Sequence, residues 1–354
     1  MANYKADMEA KLSKEKDKLI SNVPEFLYIY IEDYLPSISN ELRTHIAYAK
    51  DLINFLNFYS TQLNKKVNEI TLEDMNNANI RLFNKYFKYI TQYTATYKTS
   101  KGKEVTRVRT NSLSSKSRKL AVLKKFYEYL EKSKLITNNP VKEMKIQKPE
   151  VSKFDNKLDY IEIKDMIEEI EKGWNISTPL EGKAHERLKL RDITIFLILA
   201  FTGIRVSELV SLDISDIDIK KCTIKVIRKG NKIEELPYPE KVSSYLEKYL
   251  EERERINHSI KKEYQKALFV SQKKQRITTE SVRNMLKKYG YRSNIGIEGC
   301  HTLRRSMLST LYNQTGDIRL VAKVGGHSVA TASKYYVDVD EERLRNTMST
   351  FSYD

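Results

Sequence analysis

The 354-residue chain carries 63 Lys and Arg against 47 Asp and Glu, a formal charge of +16, which favours a polyanionic partner and nucleic acid before any other. Its length suffices for two domains with separate cores, and 11 Gly and 7 Pro suit a mostly helical chain. Two well-separated cysteines, Cys222 and Cys300, exclude a disulfide framework or a cysteine-rich zinc site. No apolar run approaches the ~18 residues that span a bilayer. The opening MANYKADMEAKLSKEKDK has neither the apolar stretch nor the cleavage site of a secretion signal. The expectation is a cytoplasmic, nucleoid-associated protein without membrane contact.

Hydrophobic periodicity predicts helices over 12–21, 25–34, 40–63 and 79–92, the last with Leu82, Phe83, Tyr86 and Ile90 on its buried stripe. The segment KTSKGKEVTRVRTN reads as a polar loop or a short hairpin. The following SLSSKSRKLAVLKKFYEYLEKSKL reads as an amphipathic helix burying Leu120, Leu123, Phe126, Tyr127 and Leu130. Residues 98–125 hold ten basic residues and one acid, Glu104. Asn138-Asn139-Pro140 ends a helix, and the polar, aperiodic stretch after it predicts a linker at 146–158. Domains are therefore expected over 1–145 and 159–354.

The second domain is predicted to open with a helix from 161 and to place a buried helix over 191–202. Alternating residues at 223–228 and 232–236 flank Lys229-Gly230-Asn231, a hairpin signal. Helices follow over 239–255, 279–289, 302–314, 319–324 and 329–336. A helical domain thus precedes an α+β one dominated by helices.

His301-Thr302-Leu303-Arg304, then Gly326-His327, then Tyr335-Tyr336, with Arg205 in TGIRVSEL and Lys229 in IRKGNK upstream, form an ordered set. Two guanidinium groups, two imidazoles and an ammonium suit the charge of a phosphoryl-transfer transition state, and a phenol oxygen can attack phosphorus. The chain has no carboxylate cluster with metal-ligand spacing and no GxxxxGK[ST] phosphate loop. The expectation is transfer through a covalent tyrosine intermediate with no metal and no cofactor.

These motifs, read through RDITIFLILAFTGIRVSELVSLDISDIDI, IKVIRKGNK and HTLRRSMLSTLYNQTGDIRLVAKVGGHSVATASKYYV, resemble the catalytic domain of the tyrosine recombinases, the phage integrase family. SKSRKLAVLKKFYEYLEKSKLITNNPVKEMKIQKP is similar to the family's core-binding domain, so the resemblance runs over about 38–350. Within the family the chain looks most like Xer-type recombinases, including the single-recombinase branch. About 35 residues precede the core-binding region, STPLEGKAHERLKL is inserted ahead of Arg191, and the overall length fits. The implied fold is mainly α. It comprises an N-terminal helical, SAM-like core-DNA-binding domain and a C-terminal α+β catalytic domain with a small antiparallel sheet.

The resemblance implies roles position by position. Arg205 and Arg304 would clamp the nonbridging oxygens of the scissile phosphate. His301 would accept or relay the tyrosine proton, and His327 would bind phosphate and support the nucleophile. Lys229 would protonate the leaving 5′-oxygen. The family often has glycine before this lysine, whereas Arg228 stands here, which leaves Arg228 and Lys232 as competitors. Counting 9 residues from His327 and 32 from Arg304 reaches Tyr336 as nucleophile, leaving Tyr335 to packing or lining. Glu208 either orients an arginine or histidine from behind or forms a surface ion pair. Arg107, Arg109, Lys116, Arg118 and Lys119 are the candidates for DNA-backbone contact, against a merely solvated basic face.

The linker lysines would let the domains close around the duplex. VDVDEERLRNTMSTFSYD predicts a C-terminal helix whose Leu344, Met348 and Phe351 dock either on a neighbouring subunit or on their own domain. Implied partners are double-stranded DNA with an inverted-repeat site and further copies of the chain, a monomer in solution becoming a tetramer on DNA. An activating DNA translocase or accessory factor remains compatible. The implied reaction is site-specific recombination through a 3′-phosphotyrosyl link and a Holliday junction, serving chromosome-dimer resolution and segregation. Alternatives are integration or excision of a mobile element, a type IB topoisomerase, and a catalytically silent DNA-binding relative.

Overall fold

The computed structural model describes residues 2–98, 104–147, 157–228 and 232–336, with 345, 348 and 349. The expected linker therefore lies mostly outside the described residues, as do Lys229 and almost all of the expected C-terminal helix. Two compact units emerge, Ala2–Lys153 and Phe154–Asp354. Among the described residues, no helix is long and apolar enough to cross a membrane.

The first unit is helical apart from one hairpin. Helix α1 (Ala2–Ile20) lies against α4 (Leu42–Leu63). Between them α2 (Glu25–Ile29) runs through a π-helical turn, Tyr30–Tyr34, into α3 (Leu35–Ile38). The sequence pattern stops this helix at 34. It continues because the widened turn precedes Pro36, near the start of α3, where a missing N–H does least harm. Helix α5 (Leu72–Asn77), not anticipated, begins with a reciprocal cap between Thr71 and Asp74. Asn79 accepts the N–H groups of Arg81 and Leu82 to start α6 (Ile80–Tyr89).

The polar segment is a hairpin rather than a loop. Strand β1 (Gln92–Lys98) pairs antiparallel with β2 (Glu104–Thr110), from Gln92↔Thr110 to Lys98↔Glu104. Helix α7 (Leu113–Lys132), capped by Ser112, then buries the five residues its pattern marks. The core is aromatic. Phe55 stacks on Phe83 at 5.0 Å and Tyr30 meets Phe126 edge-on at 4.8 Å, each ring out of water and contributing about 1.5–3 kcal/mol by burial.

In the second unit, α8 (Tyr160–Lys172) starts on an Asp159–Glu162 capping box. Helix α9 (Pro179–Thr202) is its axis, with Ile193 to Ala200 buried, and α8, α11 and α13 pack on it. This is twice the length of the expected 191–202 helix. The segment expected as an insertion forms the first half of the same helix, begun by Thr178 as cap and Pro179 at the first turn. Its His185, 2% exposed, faces the Tyr289 hydroxyl at 3.4 Å, and Glu181 pairs with Arg292 at 3.2 Å. Helix α10 (Val206–Ser211) is short. Strands β3 (Ile217–Asp218), β4 (Thr223–Ile227) and β5 (Ile233–Pro237) form one antiparallel sheet in that order. Helices α11 (Glu240–Arg255), α12 (Thr279–Arg292), α13 (Cys300–Thr315), α14 (Ile318–Gly325) and α15 (Val329–Tyr336) complete the unit. The protein is mainly helical with a small antiparallel sheet.

Candidate active site

Three helix boundaries build one cleft of ≈320 Å³ in the second unit, lined by Arg205, Arg304 and Arg305 with His301, His327 and both tyrosines. Lys157 and Ser309 complete its wall. Arg205 stands at the N-cap of α10, where the Glu208 carboxylate accepts its backbone N–H at 2.7 Å. The other Glu208 oxygen accepts from the Arg205 guanidinium at 3.0 Å, and a further guanidinium N–H donates to the Gly326 carbonyl at 3.0 Å. Glu208 is buried, so it acts on Arg205 and is not a surface ion pair.

Helix α13 sets His301 and Arg304 one turn apart on the cleft side. Arg304, 4% exposed, donates to the carbonyls of Gly203 and Gly325. Those carbonyls lie at the C-terminal ends of α9 and α14, where a cation is favoured. Burial and the nearby Arg205 lower its pKa to about 10, so it stays charged at neutral pH. It also donates to His327 Nε2 at 3.0 Å. Nε2 is then the acceptor and Nδ1 carries the proton; Nδ1 is buried without a hydrogen-bond partner among the described residues.

Helix α14 ends in Gly325-Gly326, with Gly326 left-handed at φ +54°, and the reversed chain brings His327 back over the site. Ser328 accepts the Thr331 N–H to start α15, whose last residue is Tyr336. The Tyr336 ring stacks on His327, centroids 6.1 Å apart and planes within 7°. Tyr336 is 8% exposed, whereas Tyr335 is 39% exposed, and Lys334 lies over the Tyr335 ring at 6.0 Å.

The electrostatics are one-sided. Lys157, Arg205, Arg304 and Arg305 contribute four cations, and no carboxylate is among the lining residues. Burial and then Arg304 hold His301 below its ordinary pKa, and the same causes push His327 down to about 4. Both rings are therefore neutral at pH 7. Burial raises the Tyr336 pKa, with Arg304, Arg305 and Arg205 opposing it, so the phenol keeps its proton until an acceptor takes it. The cleft is built to attract an anion and holds a phenol beside two neutral imidazoles.

Residues 156–343 match the phage integrase family. The chain belongs to that family. It is a tyrosine recombinase of the Xer type. It is 27% identical over 326 residues to a tyrosine recombinase XerC of Pelotomaculum thermopropionicum, covering 90% of this chain and 96% of that protein. It is 30% identical over 238 residues to a tyrosine recombinase XerD of Oceanobacillus iheyensis, covering 66% and 74% respectively. In fold it is similar to the XerH site-specific recombinase solved on palindromic difH substrate in a post-cleavage complex. That match has a TM-score of 0.63 and 21% identity, over 87% of this chain and 80% of that one.

Of the recombinase's expected site residues, the cleft brings together Arg205, His301, Arg304, His327 and Tyr336, with Glu208 behind Arg205. Sequence reasoning passed over Lys157 and Arg305. Only the second arginine of HTLRR hinted at the latter, and the former was read only as one of the linker lysines expected to let the domains close around the duplex. Arg228, one of the expected competitors for proton donation, is buried, and each of its guanidinium nitrogens donates to a protein acceptor.

In the first unit, Lys116 reaches the Thr91 hydroxyl at 3.3 Å and Arg107 is exposed on β2. Arg109 pairs with Tyr93 in the hairpin register; its side chain is outside the described set. Arg118 and Lys119 converge on buried Asp51, Lys119 at 2.7 Å. That partner lies 67 and 68 positions away in the chain.

Proposed function

We propose that this recombinase cleaves and rejoins double-stranded DNA through Tyr336. The phenol oxygen attacks the scissile phosphorus, the new O–P bond forming as the bond to the 5′-oxygen breaks. The tyrosine proton passes to His301 and the 5′-oxygen takes a proton from Lys229, leaving a 3′-phosphotyrosyl link and a free 5′-hydroxyl. Arg205 and Arg304 offset the charge on the nonbridging oxygens as it grows, a contribution of about 100- to 1000-fold per donor in comparable sites. His327 supports the Tyr336 ring from beneath and bears on the phosphate. A 5′-hydroxyl from the partner duplex reverses the step, and two rounds in a tetramer pass through a Holliday junction. The covalent link conserves the bond energy, so no nucleotide triphosphate is consumed.

The observation that carries this reading is the stacking of Tyr336 on His327 in the cleft of Arg205 and Arg304. A neutral His301 is a competent proton acceptor at pH 7. Relatives named XerC and XerD, and a fold neighbour solved on palindromic DNA, support an inverted-repeat substrate and a role in resolving chromosome dimers. Of the expected basic residues, Arg107, Arg109, Lys116 and Arg118 would hold the DNA backbone, with Lys119, mostly buried on Asp51, steadying Arg118 beside it.

The test is incubation with a nicked suicide duplex bearing the binding site, followed by denaturing electrophoresis. The wild type is expected to leave a denaturation-resistant adduct, Tyr336→Phe none, and Tyr335→Phe an amount near wild type. Loss with Tyr335→Phe and retention with Tyr336→Phe would transfer the nucleophile to Tyr335, and no adduct from the wild type would sink the reading.

A further inference from the structure

Arg228 directly follows β4, and its side chain is 4% exposed. Every nitrogen of its guanidinium is engaged. Nε donates to Glu234 at 3.0 Å, Nη1 to Glu208 at 2.8 Å and Nη2 to the Val324 carbonyl at 2.7 Å. A side chain so enclosed presents almost no surface to DNA. Its partners are nevertheless the groups that hold Arg205. The Glu208 oxygen that takes Arg228 also accepts the Arg205 backbone N–H, and its other oxygen takes the Arg205 guanidinium. Val324 lies two residues before Gly326, whose carbonyl takes the remaining Arg205 bond. An ideal Cβ on Gly326 would stand 3.1 Å from Arg228 and 3.2 Å from Arg205, so the two guanidinium groups flank one turn.

Buried ion pairs are poor sources of net stability, since desolvation offsets their attraction. A cluster of Arg205, Arg228, Glu208 and Glu234 beside a cleft therefore calls for another reason. We propose that Arg228 is a positioning residue. By fixing Glu208 and the 324–326 turn, it sets the direction in which Arg205 presents its guanidinium to the substrate phosphate. Without it, the Glu208 carboxylate would keep only its bonds to Arg205 and would be free to follow that arginine or draw it from the cleft. This inference rests on the recombinase reading above, in which Arg205 meets the scissile phosphate.

The test uses full-length protein and single-turnover adduct formation on the suicide duplex, with Arg228→Gln and Arg228→Lys made in the wild type and in Glu208→Gln. Arg228→Gln is expected to slow adduct formation about 10- to 100-fold, the range for residues that orient catalytic groups from behind. Arg228→Lys, which keeps a cation near Glu208, is expected to recover part of the loss. In Glu208→Gln the same changes are expected to cost less than about threefold, because coupled residues are not additive. Equal losses in both backgrounds would reduce Arg228 to a structural ion pair. Rates within threefold of wild type for both variants would also overturn the proposal. A wild type that forms no adduct strikes the recombinase reading first, which separates the two failures.

Discussion

Gly326→Ala separates backbone strain from chemistry. Gly326 has φ +54°, and a left-handed alanine costs about 1–2 kcal/mol. At roughly 2–4 °C per kcal/mol for a unit of this size, the midpoint of thermal unfolding should fall by about 2–8 °C. The added methyl would also stand 3.1 Å from Arg228 Nε and 3.2 Å from Arg205 Nη1. Arg228 is pinned by three partners, while Arg205 is 32% exposed toward the cleft, so Arg205 gives way by a few tenths of an ångström. Since a 1 Å misplacement costs about 100-fold, a shift of that size should slow adduct formation roughly 3- to 10-fold. Gly316→Ala is the control, because Gly316 ends α13 at φ +65° and does not line the cleft. Both variants, assayed below their unfolding transitions on the suicide duplex, should melt earlier, but only Gly326→Ala should react slowly. Equal rates in the two variants would refute the close-approach reasoning.

The same structure sets four further outcomes. Asp51→Asn should destabilise the first unit by about 2 kcal/mol, because mostly buried Lys119 would lose its counter-charge; urea unfolding showing no loss would contradict this. His301 and His327 titrate below their ordinary value in the folded state. The unfolded chain thus binds more protons as pH drops below about 6.5, and stability should fall from there toward pH 4. The acid limb of adduct formation should likewise lie below pH 6.5, and a limb centred above it would remove His301 as acceptor. Arg107→Ala and Lys116→Ala should each lower the slope of log affinity against log salt by about 1 if they meet phosphates; an unchanged slope in filter binding would mark them as bystanders.

Most of the longer helices and their buried stripes were legible from local pattern alone, since a 3.6-residue period with Thr, Ser, Asn or Asp at the start names both the element and its inner face. Phe83, Tyr86, Ile90 and the stripe of α7 are buried as their spacing indicates. The motif residues could be picked out as a set because their order and spacing are specific, and the cleft gathers five of them. Local pattern failed where the deciding partner is distant in sequence. Residues 179–190 were not read as part of the helix because nothing nearby shows His185 meeting Tyr289, 104 positions away. Lys157 lines the cleft although no motif surrounds it. Arg118 and Lys119 read alike as candidates for DNA-backbone contact until the fold sets Asp51 beneath them, leaving Arg118 53% exposed and Lys119 only 13%. Arg228 read as a competitor for a proton until the turn of α14 closed over it. Periodicity is a property of neighbours in the chain. The direction a charge faces depends on which counter-charge and which carbonyl the packed helices bring to it.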